Sequence, residues 1–147
     1  MISISRKLEF DAGHRIQNHK GKCNNIHGHR YSLIVTLEGE ISKSATSSDY
    51  GMLMDFADVK IIALKNIIEV WDHGFLVSND DYEILNLLKS LTNHKTVILN
   101  KVPTVENLAI IAYETLKPLY SNHYGNKLSL KKVCLYETPN CWSEYIG

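Results

Sequence analysis

The sequence has no surplus of charge, no long hydrophobic run and no disulfide framework, and each absence excludes a class of protein. Its 16 basic and 16 acidic residues cancel, so no overall field favours nucleic acid or an anionic membrane surface. No segment approaches the roughly 18 consecutive apolar residues of a membrane-spanning helix. The N-terminal residues alternate instead of forming the apolar run of a signal peptide. We therefore expect a cytoplasmic protein that binds neither nucleic acid nor membrane.

The three cysteines are too few, and odd in number, to form a disulfide framework. Cys134 and Cys141 are interpreted as small buried residues. Cys23 differs because histidines follow it closely, and in a reducing compartment such a cysteine indicates metal binding or catalysis. The 147 residues, 44% of them hydrophobic, predict one domain over residues 1–147.

The segment Cys23-Asn-Asn-Ile-His-Gly-His29 is the candidate site of chemistry. On a strand, His27 and His29 would project from one face while Gly28 lies opposite. Two histidines alone also fit an ordinary polar patch at a strand end, so a metal site requires a third ligand. Cys23 could be that further ligand or a nearby thiol base.

A third imidazole is expected from the first strand. Residues 2–10 and residues 29–38 both alternate between apolar and polar, which predicts two half-buried strands that can pair antiparallel. Their pairing would bring His14 beside His27 and His29. Three imidazoles with an open fourth position are typical of a catalytic zinc. His19 competes as third ligand, but it lies in a polar loop, and we prefer His14.

Two long helices are predicted downstream. Asp55 is a natural N-cap for the first, which continues to Trp71, and Thr104 caps the second, which Pro118 ends. Glu106 lies in the first turn of that second helix, where a negative charge is stabilised. Capping alone explains both Thr104 and Glu106.

Two further acidic positions are candidates. In the last strand, residues 128–137, Glu137 shares the apolar face of Val133 and Leu135, where a carboxylate is costly unless it meets a donor. Glu137 is therefore a candidate ligand-binding group, unless a frayed strand end leaves it in solvent. Asp72 and His73 adjoin at a helix exit and can cooperate only in an irregular turn or across a subunit contact. A turn-forming Asp and a histidine favoured by the helix dipole explain that pair equally well.

Five motifs in one order resemble the 6-pyruvoyltetrahydropterin synthase family, including its 6-carboxytetrahydropterin synthase branch. They cover nearly the whole chain and read Phe-Asp-Ala-Gly-His14, Cys23-x3-His27-Gly-His29, Asp72-His73, Pro-Thr104-x-Glu106-Asn-Leu and Tyr-Glu137-Thr. The resemblance implies an α+β tunnelling fold (T-fold), a four-stranded antiparallel sheet with two helices on one face. Three such sheets would close a barrel, and two trimers would form a homohexamer. The remaining strand is expected around residues 51–55.

The resemblance also implies roles for individual residues. The zinc ligands would be His14, His27 and His29. The catalytic residues would be Cys23 as the proton-abstracting thiolate and Asp72 with His73 as a proton relay. The pterin would contact Glu137, Thr104 and Glu106. The substrate's triphosphate would need basic groups, and those near the motif in sequence are Arg15, Lys20, Lys22 and Arg30.

The implied activity is a zinc-dependent lyase reaction on 7,8-dihydroneopterin triphosphate. Loss of triphosphate and acetaldehyde would give 6-carboxytetrahydropterin for queuosine biosynthesis, and the C-terminal sequence resembles that branch. The alternative is a 6-pyruvoyltetrahydropterin synthase, which eliminates triphosphate without cleaving the side chain. A further branch replaces the thiol by a carboxylate, whereas Cys23 is retained here. A non-enzymatic alternative is a zinc-stabilised oligomeric binding protein with Cys23 as fourth ligand.

Overall fold

Two long antiparallel strands form the centre of the molecule. The computed structural model describes residues 1–147, except for the side chain of Asn126. Strand β1 (Ile2–His14) pairs with β2 (His27–Gly39) along its full length, from Ile2 opposite Gly39 to His14 opposite His27. The predicted pairing is therefore confirmed, and it places the histidines at one end of the strand pair.

The sheet has six strands in the order β4-β3-β1-β2-β5-β6. Strands β5 (Leu128–Thr138) and β6 (Cys141–Ile146) continue the antiparallel sheet beyond β2. On the other side, β3 (Phe75–Ser78) and β4 (Thr96–Leu99) add two short parallel strands. Four antiparallel strands are thus present, as expected, but two parallel strands extend them.

The prediction of a strand around residues 51–55 was wrong, because β6 is the fourth antiparallel strand. The chain turns at Gly51, which has a positive φ of 78°, and the amide of Met52 donates to the carbonyl of Asp49. Asp55 then caps a helix. The apolar residue Met54 is buried here without any strand pairing.

The two predicted long helices begin at their predicted caps, Asp55 and Thr104. Asp55, Asp81 and Thr104 each accept a backbone N–H in the first turn of a helix. The helices are α1 (Phe56–Ala63), a π-helical turn at Leu64–Ile68 that leads into α2 (Glu69–Trp71), α3 (Tyr82–Lys89) and α4 (Val105–Tyr124). The π turn holds one extra residue, which rotates the residues after it around the helix axis. Trp71 therefore faces the core and is buried, whereas Val70 is 44% exposed.

Pro118 does not end the second long helix, contrary to prediction, because α4 continues to Tyr124. Pro118 and Glu114 both lie on the exposed side of α4. Water can therefore replace the bond that proline cannot donate. Leu116 and Tyr120 are fully buried on the other side, and this packing holds the helix together past the proline.

The main core lies between one face of the sheet and helices α1, α2 and α4, and it leads directly to the histidines. Helix α3 packs against β3 in a separate buried cluster. Tyr31 stacks on Phe10 with ring centroids 5.0 Å apart, and both side chains are almost completely buried. Each such aromatic contributes about 2–3 kcal/mol through burial. His14 lies four residues beyond Phe10 on the same face of β1. In the part of the chain that the structure describes, no helix meets the length and hydropathy needed to cross a membrane.

Candidate metal centre

The three predicted histidines meet at the end of the β1–β2 pair. His14 and His27 are register partners, and His29 is the partner of Ala12, so the three imidazoles share one face. Their ring centroids are 4.6–5.1 Å apart. One nitrogen from each ring lies within 4.8 Å of the other two. These residues can therefore hold a metal ion.

Main-chain carbonyls fix the tautomers of two of these rings. His14 Nδ1 lies 2.8 Å from the carbonyl oxygen of Pro103, and His27 Nδ1 lies 2.7 Å from that of Asn25. A carbonyl only accepts, so each Nδ1 carries the hydrogen and each Nε2 keeps a free lone pair. Metal-binding histidines are usually oriented in this way.

The two free nitrogens point at each other. His14 Nε2 and His27 Nε2 are 3.1 Å apart, a contact between two lone pairs that is unfavourable without a cation between them. Tetrahedral metal–nitrogen bonds of about 2.0–2.1 Å separate two ligand nitrogens by about 3.3 Å. The arrangement therefore fits a metal ion of that bond length.

Burial favours the neutral form of His14 and of His29. Only 1% of His14 is exposed, and burial lowers its pKa to about 4. Burial also lowers the pKa of His29. Neutral imidazole is the form that binds metal. The buried hydroxyl of Tyr31 lies 3.3 Å from His14 Nδ1, and burial raises the pKa of that hydroxyl.

Glu137 lies beside the cluster. One carboxylate oxygen is 3.5 Å from His14 Nε2 and 3.8 Å from His29 Nε2. Its side chain is 22% exposed, and Val133 and Leu135 on the same face are completely buried. Glu137 therefore occupies the apolar face that the strand pattern predicted, next to the histidines rather than at a solvated strand end.

Cys23 lies in the loop that joins the two histidine-bearing strands. A 3-10 turn spans Lys22–Asn24, and the carbonyl of Cys23 accepts the amide of Ile16 at 2.7 Å. The thiol is partly buried and does not belong to the metal-ligand group formed by the described residues. His19 is also outside that group, since its ring accepts the amide of Gly21.

Asp72 and His73 form an irregular turn bound to β1. Asp72 Oδ1 accepts the amide of Asp11 at 2.9 Å, and Asp72 Oδ2 lies 2.8 Å from His73 Nδ1. The amide of His73 donates to the carbonyl of Asp11, and His73 adopts a positive φ of 56°. The Asp11 amide lowers the pKa of Asp72. The two side chains thus contact each other in an irregular turn, and their role as a proton relay remains a prediction.

The His73 side chain is 77% exposed. It lines a cavity of about 540 Å³ together with residues 11–13 of β1 and residues 26–30, which include His27 and His29. Asp11 and Arg30 alternate with the histidines along the strands, so they lie on the opposite face of the sheet. A larger cavity of about 690 Å³ lies at the far end of β2, but no histidine or cysteine among the described residues lines it. The candidate site is therefore the end of the β1–β2 pair that carries the histidines.

Thr104 and Glu106 lie at the start of α4. Thr104 Oγ1 accepts the amide of Asn107 at 3.3 Å, and Glu106 is exposed in the first turn. The preceding residue, Pro103, contacts His14, so this helix terminus lies beside the histidine cluster. The capping roles are present, and the pterin contacts of both residues remain predictions.

Sequence reasoning missed the groups that orient the histidines. Pro103 and Asn25 act through main-chain oxygens, for which side-chain identity gives no signal. It also missed that Arg15 and Arg30 are ion-paired with carboxylates, with Asp81 and Asp11 respectively. Cys141, predicted to be buried, is exposed.

Comparison with known proteins shows the family. The family model for 6-pyruvoyl tetrahydropterin synthase matches residues 3–147. The chain belongs to the 6-pyruvoyl tetrahydropterin synthase family. Within it, a 6-carboxy-5,6,7,8-tetrahydropterin synthase of Rickettsia conorii is 40% identical over 146 residues, or 98% of this chain and 99% of that protein. An enzyme of the same name from Haemophilus influenzae is 34% identical over 148 residues, or 99% of each chain.

A solved structure of the family confirms the fold. The 6-pyruvoyl tetrahydropterin synthase of Caenorhabditis elegans superposes with a TM-score of 0.69 at 31% identity, covering 99% of this chain and 95% of that one. The expected α+β tunnelling fold of the 6-pyruvoyl tetrahydropterin synthase family is therefore confirmed, with six strands in this chain's sheet.

Proposed function

We propose that this protein is a zinc-dependent 6-carboxy-5,6,7,8-tetrahydropterin synthase acting in queuosine biosynthesis in the cytoplasm. It would convert 7,8-dihydroneopterin triphosphate to 6-carboxytetrahydropterin. After triphosphate is lost, water would cleave the bond between the first and second side-chain carbons. The first carbon would remain as the carboxyl group, and the other two would leave as acetaldehyde. The names of the Rickettsia conorii and Haemophilus influenzae relatives support this branch. The observation that carries the proposal is the converging pair of free nitrogens on His14 and His27.

His14, His27 and His29 would hold the zinc ion. When bound, zinc supplies Lewis-acid chemistry that acidifies the hydroxyl groups of the substrate side chain. Pro103 and Asn25 keep the rings of His14 and His27 aimed at the ion, since each carbonyl holds one Nδ1 hydrogen. The fourth position is left for substrate.

Cys23, Asp72 and His73 would move the protons. The Cys23 thiolate would remove a proton from the substrate side chain, and its position outside the histidine group supports a role as base. Asp72 stays ionised because the amide of Asp11 stabilises its negative charge. It therefore holds the hydrogen on His73 Nδ1 and leaves Nε2 to exchange protons.

Glu137 would anchor the pterin, with Thr104 and Glu106 lining the same pocket. A carboxylate can accept two hydrogen bonds from the guanidine-like edge of a pterin. Glu137→Gln should weaken pterin binding about tenfold or more, because a charge-assisted bond contributes about 1.5–3 kcal/mol. Zinc content should change less than pterin affinity. Fluorescence titration with a pterin product and metal analysis of the same samples check this, and unchanged affinity would remove Glu137 from the pocket.

The active form would be a homohexamer of single-domain chains spanning residues 1–147. In the described chain, β4 and β6 end the sheet and each has a strand neighbour on one side only. Exposed strand edges are usually covered, and pairing between subunits would cover them here. The His73 side chain is 77% exposed, which supports donation of the Asp72–His73 pair to a neighbouring subunit's site.

The test is product identification. The zinc-loaded protein is incubated with 7,8-dihydroneopterin triphosphate, and the pterin and any acetaldehyde are measured by mass spectrometry. We expect 6-carboxytetrahydropterin and acetaldehyde in equal amounts. Absence of turnover would contradict the proposal and favour the zinc-stabilised binding protein.

A second candidate function is 6-pyruvoyl tetrahydropterin synthesis. The 31% identity to the Caenorhabditis elegans enzyme favours it, and both reactions use the same substrate. The same experiment separates the two, since a 6-pyruvoyl product without acetaldehyde would assign this second function.

A further inference from the structure

The loop that carries Cys23 is tied to a distant helix by a buried ion pair. Arg15 follows His14 directly and begins the loop. Its Nε donates to Asp81 Oδ2 at 2.8 Å, and its Nη2 donates to Asp81 Oδ1 at 2.6 Å. Asp81 is the N-cap of α3. Two parallel bonds of this kind fix orientation as well as distance, so the start of the loop is held against α3.

A second tie lies two residues further along the loop. Gln17 Nε2 donates to Asp80 Oδ1 at 2.8 Å, and the hydroxyl of Ser78 donates to the same oxygen at 2.5 Å. Between the two ties, the amide of Ile16 donates to the carbonyl of Cys23 at 2.7 Å. The backbone position of Cys23 therefore depends on a residue that is held from both sides.

The Arg15–Asp81 pair is well protected from water. The side chains of Arg15 and Asp81 are 13% and 5% exposed, whereas Glu83, a further carboxylate near Arg15, is 83% exposed. The contact with Arg15 lowers the pKa of Asp81. Removing Asp81 leaves the buried Arg15 charge with only the exposed Glu83 as a partner at 3.2 Å, which is more costly than losing a surface ion pair. Arg15 is consequently committed to the loop rather than free for a substrate phosphate.

We infer that Arg15 and Asp81 are positioning residues that set the place of the Cys23 thiol relative to the three histidines. Only the kinetic consequence of this inference, the change in kcat, rests on the proposed function. Because Arg15 adjoins the ligand His14 and the Ile16 amide holds Cys23, the ion pair connects the metal centre and the thiol through two residues of backbone. A shift of the loop would move the thiol while leaving the histidines in place.

The decisive variant is Asp81→Asn, with Asp55→Asn as its matched control. Asparagine still caps a helix, so both variants keep their N-cap, but only Asp81 is bound by an arginine. We expect Asp81→Asn to lower kcat about tenfold or more with KM changed less than twofold, since an error of 1 Å in the placement of a reacting group can cost about 100-fold. Zinc content should stay at the wild-type value in both variants.

Thiol labelling gives a readout that needs no pterin chemistry. The rate at which N-ethylmaleimide labels Cys23 is followed by peptide mass spectrometry, which separates it from Cys134 and Cys141. A loosened loop should expose the half-buried thiol, and we expect labelling roughly threefold faster or more in Asp81→Asn and unchanged in Asp55→Asn. Equal rates in the two variants would overturn the inference. Failure of wild-type turnover would refute the proposed function and leave this comparison intact.

Arg15 variants test the pair from the other side. Arg15→Lys keeps the charge but loses the two-bond contact, so its labelling rate should lie between those of wild type and Asp81→Asn. The double variant Arg15→Gln with Asp81→Asn should lose no more kcat than Asp81→Asn alone, because each change removes the same Arg15–Asp81 contact. Additive losses would contradict a shared positioning role. If Asp81→Asn does not fold, Arg15→Lys carries the labelling test.

Discussion

The histidine cluster and the Asp72–His73 turn are attached to the same end of β1 but differ in how they are held. His14 is buried and His27 and His29 are partly buried, and main-chain carbonyls fix the rings of His14 and His27 with their free nitrogens turned inward. His73 is 77% exposed and is held by one carboxylate and by backbone bonds to Asp11. A buried group with fixed lone pairs is suited to binding a cation, whereas an exposed imidazole is suited to exchanging protons with a group outside its own chain.

Mutations in the two regions should have different consequences. A change in the histidine cluster should remove the metal and every function that depends on it. A change in the exposed turn should reduce turnover while the metal remains bound. The predictions below use this difference, beginning with the largest effect.

His27→Ala should abolish metal binding. It removes one of three ligands and leaves the Nε2 of His14 without its neighbour at 3.1 Å. We expect metal affinity to fall more than about 100-fold, beyond the 10–100-fold loss typical of an outer-shell change. Competition with a chelator measures the affinity. Retention of stoichiometric metal would show that the three imidazoles are not the ligand set.

His73→Ala should leave metal affinity unchanged and lower kcat. Proton transfer by a positioned side chain contributes about 10²–10⁴-fold, so a loss of at least 100-fold is expected. The imidazole is largely exposed, and stability should hardly change. Steady-state kinetics with parallel metal analysis checks the prediction, and wild-type kcat would remove His73 from the mechanism.

Gly28→Ala should weaken the end of the strand pair. An added Cβ at this position would lie 2.9 Å from the main-chain oxygen of Ala12, so β1 and β2 must separate where they carry His14 and His27. We expect a loss of about 1–3 kcal/mol in the free energy of unfolding and weaker metal binding. Gly21→Ala is the control, since its Cβ would meet only the movable ring of His19. Denaturant unfolding measures the free energy of unfolding of both variants, and equal stability would contradict the close packing of the strands.

Asp72→Asn should lower the free energy of unfolding by less than Gly28→Ala does. The side-chain oxygen can still accept the Asp11 amide, but the negative charge that strengthens this bond is lost, which costs about 1 kcal/mol at neutral pH because the carboxylate is partly exposed. The folded-state pKa of Asp72 is lowered, so its stabilising effect is present above the unfolded pKa of about 3.9 and is lost as the pH falls through the folded pKa. Unfolding curves should differ at pH 7 and converge under acidic conditions. A constant difference across that range would show that the charge does not contribute.

The sequence predicted the parts of this site that depend on strand alternation. The spacing of His27 and His29 and the position of His14 at the end of the first strand were enough to place three imidazoles together, because antiparallel register brings equal ends into contact. The helix caps at Asp55 and Thr104 could also be predicted, because a cap depends on residues that are close in sequence. Glu137 was predicted to share the apolar face because alternation carries through to the strand end.

The features that sequence reasoning predicted wrongly or missed depend on contacts between distant segments of the chain. Residues 51–55 form no strand, since their backbone bonds to a neighbouring segment are limited to those of Gly51 and Met52 with Ser42, and β6 takes their place through a hairpin with β5. Pro118 is tolerated because burial of Leu116 and Tyr120 outweighs its missing bond. The carbonyls of Pro103 and Asn25, and the partnership of Arg15 with Asp81, arise only when the chain is folded.

X-ray absorption at the zinc edge tests the central claim most directly. The account predicts nitrogen and oxygen neighbours at about 2.0–2.1 Å and no sulfur, because the three histidines bind the metal and Cys23 stands apart as a base. The Cys23→Ala variant should give the same spectrum with no turnover. A sulfur neighbour at about 2.3 Å that disappears in Cys23→Ala would indicate a closed structural site and would contradict the proposed enzyme.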